Sequence, residues 1–161
     1  MSLDACVYCD CYEKRRLREP PPVGVSSRVE SDGSLGRERD DSTVEADLAW
    51  DRWRAHLACE HPGGVLLHHR LGNISLIGLL RSELHQVPLR FPILLTKVLY
   101  SGSHAGDFLS FRLVPALQTE LEALADFRCS TREADGFMSD FRTQMLELVA
   151  ASLSVTKPIA F

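Results

Sequence analysis

SLDACVYCDCY, residues 2–12, alternates with the two-residue period of an extended strand. At that spacing Leu3, Ala5, Val7, Cys9 and Cys11 share one face, while Asp4, Cys6, Tyr8, Asp10 and Tyr12 share the other. The segment predicts a first strand with one buried side that ends in two thiols. The next thirty residues are charged and rich in Pro, Gly and Ser, and Pro20, Pro21 and Pro22 force an extended path. We read about 19–42 as a long surface connection, with a short strand near Ser27–Glu30 and a turn at Asp32–Gly33.

Beyond that connection the dominant period is helical. Ser42 with Glu45 three residues later fits a capping box, and Ala46, Trp50, Trp53 and Leu57 form one apolar stripe. Pro62, Gly63 and Gly64 stop that helix. VLLHHRL, residues 65–71, reads as a strand, and Asn73 or Ser75 caps a helix through about Gln86. Ile74, Ile77, Leu80 and Leu84, with Leu76, supply its buried face. ILLTKVLY, residues 93–100, is apolar and β-branched enough for an interior strand, although a buried helix has the same pattern.

SGSHAGDFLS follows as a Gly-rich loop. Pro115 opens a helix carrying Leu117, Leu121, Leu124 and Phe127. A long helix over about 133–152 turns Phe137, Phe141, Met145 and Leu148 inward. KPIAF, residues 157–161, predicts a short edge strand. The sum is α+β: a small mixed or antiparallel sheet with three to four helices packed mainly on one face.

One domain accounts for all 161 residues, a length that supports a core without disulfide staples. Lys and Arg total 18 against 22 Asp and Glu, a net charge of −4, which argues against a nucleic-acid partner. Apolar runs are too short for a membrane span. The opening residues lack the basic and apolar regions of a secretory signal, so the expected location is cytoplasmic, where thiols stay reduced. Lys14, Arg15, Arg16 and Arg18 are flanked by Glu13 and Glu19 and read as a solvated charge run.

The five Cys are thus read as core side chains, metal ligands or reactive thiols before disulfides. Cys9 and Cys11, on one strand face roughly 7 Å apart along the backbone, are most simply a continuation of the apolar side, and core is the preferred reading. The sharper alternative joins them to Cys59 and His61 at the helix stop, closing a Cys₃His site for zinc. The default is therefore no cofactor, with zinc as the alternative. A second alternative is a Cys/His metal- or thiol-dependent, hydrolase-like enzyme, in which Cys59 is activated by His68 or His69 and Asn73 orients the imidazole. Otherwise no catalytic residue is assigned. The loop holding Ser101, Ser103, His104 and Asp107 lacks the Lys-Ser/Thr of a phosphate loop, and its residues are candidates for a binding surface.

FPILLTKVLYSGSHAGDFLSFRLVPALQTELEALADF, residues 91–127, runs an apolar segment through a loop into a helix patterned AL-x₂-EL-x₂-L. FRTQMLELVAASLSVTKPIAF, residues 141–161, then takes a helix into a final strand. This order resembles small α+β immunity proteins of bacterial polymorphic toxin systems, over residues 91–161 only. The resemblance implies a non-enzymatic, cytoplasmic protein that neutralises a cognate protein toxin by binding it. Mild acidity suits a basic partner. It carries over no catalytic residue, and the Cys-rich start and the Cys59-Glu60-His61 turn lie outside it.

Overall fold

The computed structural model describes residues 2–38, 43–102 and 106–161. The first strand, β1 (Ser2–Tyr8), buries Leu3, Ala5 and Val7 and leaves the alternate residues half-buried, as its period dictates. It pairs antiparallel with β4 (Val65–Asn73), from Ser2 opposite Asn73 to Tyr8 opposite Val65, with register shifts at Leu3/Asp4 and Val7/Tyr8. Two further strands are minimal: β5 (Phe108–Leu109) and β6 (Ile159–Ala160). The four form one antiparallel sheet in the order β4-β1-β6-β5. The C-terminal strand is therefore interior, not an edge. Pro158 precedes the paired residues, so its missing N–H costs the ladder nothing.

Within the long connection, β2 (Ser27–Val29) and β3 (Leu35–Arg37) make a separate hairpin. Its turn falls at Asp32–Gly33, where Gly33 has φ +88° and a Cβ would meet Pro158 and Lys157 at 3.2–3.3 Å.

Among the described residues, four α-helices complete the fold. The first, α1 (Val44–Arg52), is capped by Thr43, whose hydroxyl accepts from the Ala46 amide at 3.3 Å. The cap therefore falls at Thr43 and not at Ser42, the residue expected from the capping-box spacing, which lies outside the described residues. The helix runs into a π-helical turn at Trp53–Leu57. Asn73 caps α2 (Ile74–Leu84) by accepting from the Leu76 amide at 2.9 Å. Next come α3 (Val114–Ala123), with Pro115 in its first turn, and α4 (Arg132–Val155), capped by Thr131.

Ile77, Leu80, Leu84, Leu117, Leu121, Phe141, Met145 and Leu148 join the β1 side chains in the main core. Ile74 and Phe137 do not: each sits at its helix's N-terminal end and stays substantially exposed.

Within residues 93–100 the chain is helical over 93–98, rather than extended, and bends at 99–100. Pro92 begins a short helix, and Leu94–Val98 continue it as a π-turn. The reason lies on α3. Both carboxylate oxygens of buried Glu120 accept from the amides of Ile93 (2.8 Å) and Leu94 (2.9 Å), satisfying orphan donors of a helix start. Leu94, Leu95, Val98 and Leu99 are buried as the sequence requires, but on a helix.

A second, smaller apolar cluster lies apart from the main core. Trp50, Trp53 and Ala58 are its buried members, with Leu17, Val25, Leu35 and Leu57 packed against them. The indoles meet at 5.0 Å between centroids. This cluster and the β2–β3 hairpin form a lobe beside the sheet, pinned by the long Lys157 side chain. Its ammonium donates to the Gly33 carbonyl at 3.0 Å and pairs with Glu13.

Candidate metal centre

The strand carrying the N-terminal thiols is shorter than its alternation indicates. It ends at Tyr8; Cys9 and Asp10 leave the ladder, and residues 11–15 turn. The cause is Asp10. Its carboxylate is buried and pairs with both Lys14 and Arg16, while its carbonyl accepts from the Lys14 amide at 2.9 Å. Two of the basic-run cations thus hold a turn rather than only facing solvent. Burial works to raise the Asp10 carboxyl, yet the hydrogen bonds and charges of Lys14 and Arg16 outweigh it and hold the group below the ordinary carboxylate range.

The opposing segment is built by the helix stop. After the π-turn, Cys59 and His61 lead into Pro62-Gly63-Gly64, where both glycines have positive φ (+64° and +73°). That left-handed pair reverses the chain into β4, a path a β-carbon would strain. The Gly64 carbonyl then accepts from the Cys9 amide at 2.8 Å, and the Ala58 carbonyl from the Arg18 amide at 2.8 Å. Backbone hydrogen bonds lay residues 9–18 alongside 58–64.

The consequence is convergence. One ligand atom from each of Cys9, Cys11, Cys59 and His61 lies within 4.8 Å of all the others. The Cys9 and Cys59 sulfurs are 3.8 Å apart, and the Cys11 sulfur is 3.5 Å from His61 Nδ1. A tetrahedron with Zn–S near 2.3 Å and Zn–N near 2.0 Å has S···S edges of about 3.8 Å and S···N edges of about 3.5 Å. Both separations are those of a tetrahedral shell. On the far side of its ring, His61 Nε2 lies 3.9 Å from the exposed Glu60 carboxylate, beyond hydrogen-bond reach.

Cys11 and Cys59 are buried, and Cys9 and His61 half-buried. Neither buried thiol belongs to either apolar cluster. Burial, reinforced by the neighbouring thiols, pushes the Cys11 thiol up to about 12. Burial also raises Cys9. Without a cation these sulfurs resist ionising together; a divalent metal removes that penalty.

The remaining candidates lie elsewhere. His68 and His69 stand opposite Cys6 and Ala5, midway along the edge strand β4. His68 Nε2 faces Asp4 at 3.7 Å, and His69 Nε2 meets Glu147 of α4 at 2.6 Å. Cys59 instead finds Cys9 and the His61 carbonyl (3.4 Å), and the Asn73 oxygen is engaged as a helix cap. Cys6 and Cys129 stay outside the cluster; burial, aided by Glu83 and Asp135, raises Cys129 to about 11. Of the binding-loop candidates, Ser103 and His104 lie outside the described residues. Asp107 accepts from the Tyr100 hydroxyl, its carbonyl accepts from the Phe161 amide at 2.8 Å, and Ser101 is half-buried. No helix among the described residues is long and apolar enough to cross a membrane.

Two contributors went unread in the sequence. Asp10 sits between the two thiols and carries an i, i+4 signal to Lys14. Lys157 carries no local signal, because its partners Glu13 and Gly33 are remote in sequence.

No family model matches the chain, and neither the curated proteins nor the solved structures compared with it give a match.

Proposed function

We propose that the chain is a non-enzymatic binding module whose N-terminal strand and Trp-bearing lobe are joined by a structural Cys₃His zinc ion. The observation that carries this reading is the convergence of Cys9, Cys11, Cys59 and His61 at tetrahedral separations. Four protein ligands fill a tetrahedral shell and leave no position for water or substrate, which is the mark of a metal that holds rather than reacts. Soft thiolates with one imidazole select zinc over hard oxygen-seeking cations.

Metal analysis of the untagged, purified chain tests the proposal. The expected result is about one zinc per chain, and a melting temperature that falls on chelation. Cobalt substitution should give the visible bands of a tetrahedral thiolate complex. A metal-free, folded chain whose melting temperature ignores added zinc would overturn the reading. Cys11→Ser and Cys59→Ser should weaken zinc binding by at least about 100-fold, as loss of a ligand in a closed shell requires.

The partner class follows from the resemblance in residues 91–161 and is proposed on that pattern alone: a cognate protein toxin, bound and neutralised in the cytoplasm. Its test is a binary binding measurement against a toxin encoded beside this chain. A stoichiometric complex that abolishes the toxin's activity supports it, and no complex at micromolar concentration rejects it.

A further inference from the structure

We infer that Cys9 and Cys59 are a modification site for hydroperoxides, forming a reversible disulfide that expels the zinc while keeping the two segments joined. The inference rests on the zinc reading for its metal but on separate geometry for its bond.

The two sulfurs are 3.8 Å apart and come from segments fifty residues apart in sequence. Closing that gap to a disulfide at about 2.05 Å is a side-chain adjustment rather than a refolding. The two thiols are also unequal in access. Cys59 is 7% exposed, whereas Cys9 is half-buried. Both line a small pocket of about 20 Å³ whose other walls include Tyr8, Tyr12, Glu13 and Arg54. A pocket of that size takes about one water-sized molecule, so a small neutral oxidant such as hydrogen peroxide approaches from its mouth and meets Cys9 as the more open sulfur. Cys59 stands behind it, in the place of a resolving thiol.

The step balances without a further reactant. The Cys9 thiolate attacks one peroxide oxygen, the O–O bond breaks, and hydroxide leaves to take a proton from the buffer acid. Cys9 is then a sulfenic acid. The Cys59 thiolate attacks that sulfur, the S–S bond forms, the S–O bond breaks, and a second hydroxide departs. Two thiolates lose two electrons in all, and one peroxide is reduced to two hydroxides, which become two waters on taking two protons from the buffer. Only Cys11 and His61 remain as ligands, and a two-ligand site does not retain zinc against solvent. The disulfide spans the same residues 9 and 59 that the metal had bridged, so oxidation exchanges one clamp for another.

The test uses the full, zinc-loaded chain treated with hydrogen peroxide, with release followed by a chromogenic zinc indicator and the products by peptide mass mapping. The expected result is loss of the bound zinc, a mass lower by two hydrogens, and a Cys9–Cys59 cross-linked peptide. Dithiothreitol with added zinc should restore the starting state. The Cys6→Ser/Cys129→Ser variant should behave as the parent does. The inference is overturned by zinc release with sulfinic acid on Cys9 and no cross-link, by a Cys9–Cys11 link instead, or by a chain that keeps its zinc and thiols. Should the chain bind no zinc at all, the metal reading fails on its own. The same mapping on the reduced, metal-free chain, incubated with peroxide at alkaline pH so that thiolate is available, then decides the disulfide separately, since the pair's geometry does not depend on an ion.

Discussion

Asp10 shows how one side chain decides what two others can do. Between Cys9 and Cys11 it turns inward, draws Lys14 and Arg16 around it, and bends the chain off the sheet toward Cys59. Asp10→Asn removes both charge-assisted contacts while keeping the shape, and should cost about 1–2 kcal/mol of stability at neutral pH. Its dependence on pH has a definite sign. The folded-state carboxyl is depressed, so its contribution is present above the unfolded carboxyl range and disappears as pH falls through the lowered folded value. Thermal melts of parent and variant should differ at pH 7 and converge in acid; a difference that persists unchanged would show that packing, not charge, holds the turn. The thiols obey the opposite bias. Cys9 and Cys11 are both raised above the ordinary thiol value, so both are protonated at pH 7 and zinc must displace both protons. Apparent zinc affinity should therefore weaken at least about 100-fold for each pH unit lost below 7. A competition titration with a chelator of known affinity measures that slope, and a flat profile would contradict the assignment of these two as ligands.

At the scale of elements, what could be read from sequence was what local period encodes. The alternation of Leu3, Ala5 and Val7, the Asn73 cap, the Pro115 start and the Phe141–Met145–Leu148 stripe each depend on neighbours within a turn or two, and each stands in the fold. The segment ILLTKVLY did not yield to that reading, because an apolar run has no period to choose between strand and helix. The choice is made by Glu120, some 26 residues away, whose carboxylate caps the Ile93 and Leu94 amides. Glu83 acts likewise, accepting from the Ser130 amide at 2.8 Å and fixing the entry to α4. Buried carboxylates that serve distant amides leave no local trace. The candidate site was legible as residue types and as a possible quartet. Its convergence was not, since it depends on Asp10 ending the strand and on Gly63 and Gly64 reversing the chain. Glu120→Ala should leave two buried amides unsatisfied and destabilise the chain by about 2–3 kcal/mol, with Glu120→Gln recovering about half. Denaturant melts measure both. A Glu120→Ala variant as stable as the parent would mean that water replaces the cap.

The described residues hold two apolar clusters of unequal size, and the Cys₃His quartet stands where their segments meet. Two dozen buried side chains make up the main core, against three in the Trp cluster. A cluster that small does not hold a lobe by itself. Its attachments include the Lys157 pin to Gly33 and Glu13, the Tyr12 hydroxyl on the Ser27 carbonyl, the Arg18 amide on the Ala58 carbonyl, and the quartet. Local opening should therefore begin in this lobe, and metal should govern how often it opens. Trp50 and Trp53 are the chain's only tryptophans and both lie in it, so intrinsic fluorescence reports the lobe and little else. Chelation of the zinc-loaded chain should shift the emission to the red and speed amide exchange across the lobe. Helical circular dichroism from α2, α3 and α4 should meanwhile fall only slightly, because their core does not include the quartet. Added zinc should reverse both changes. Lys157→Met, which keeps the apolar stem but deletes the ammonium, should make the lobe open at lower chelator concentration. If fluorescence and circular dichroism instead move together in one transition, the two clusters are a single cooperative unit and the metal stabilises the fold as a whole.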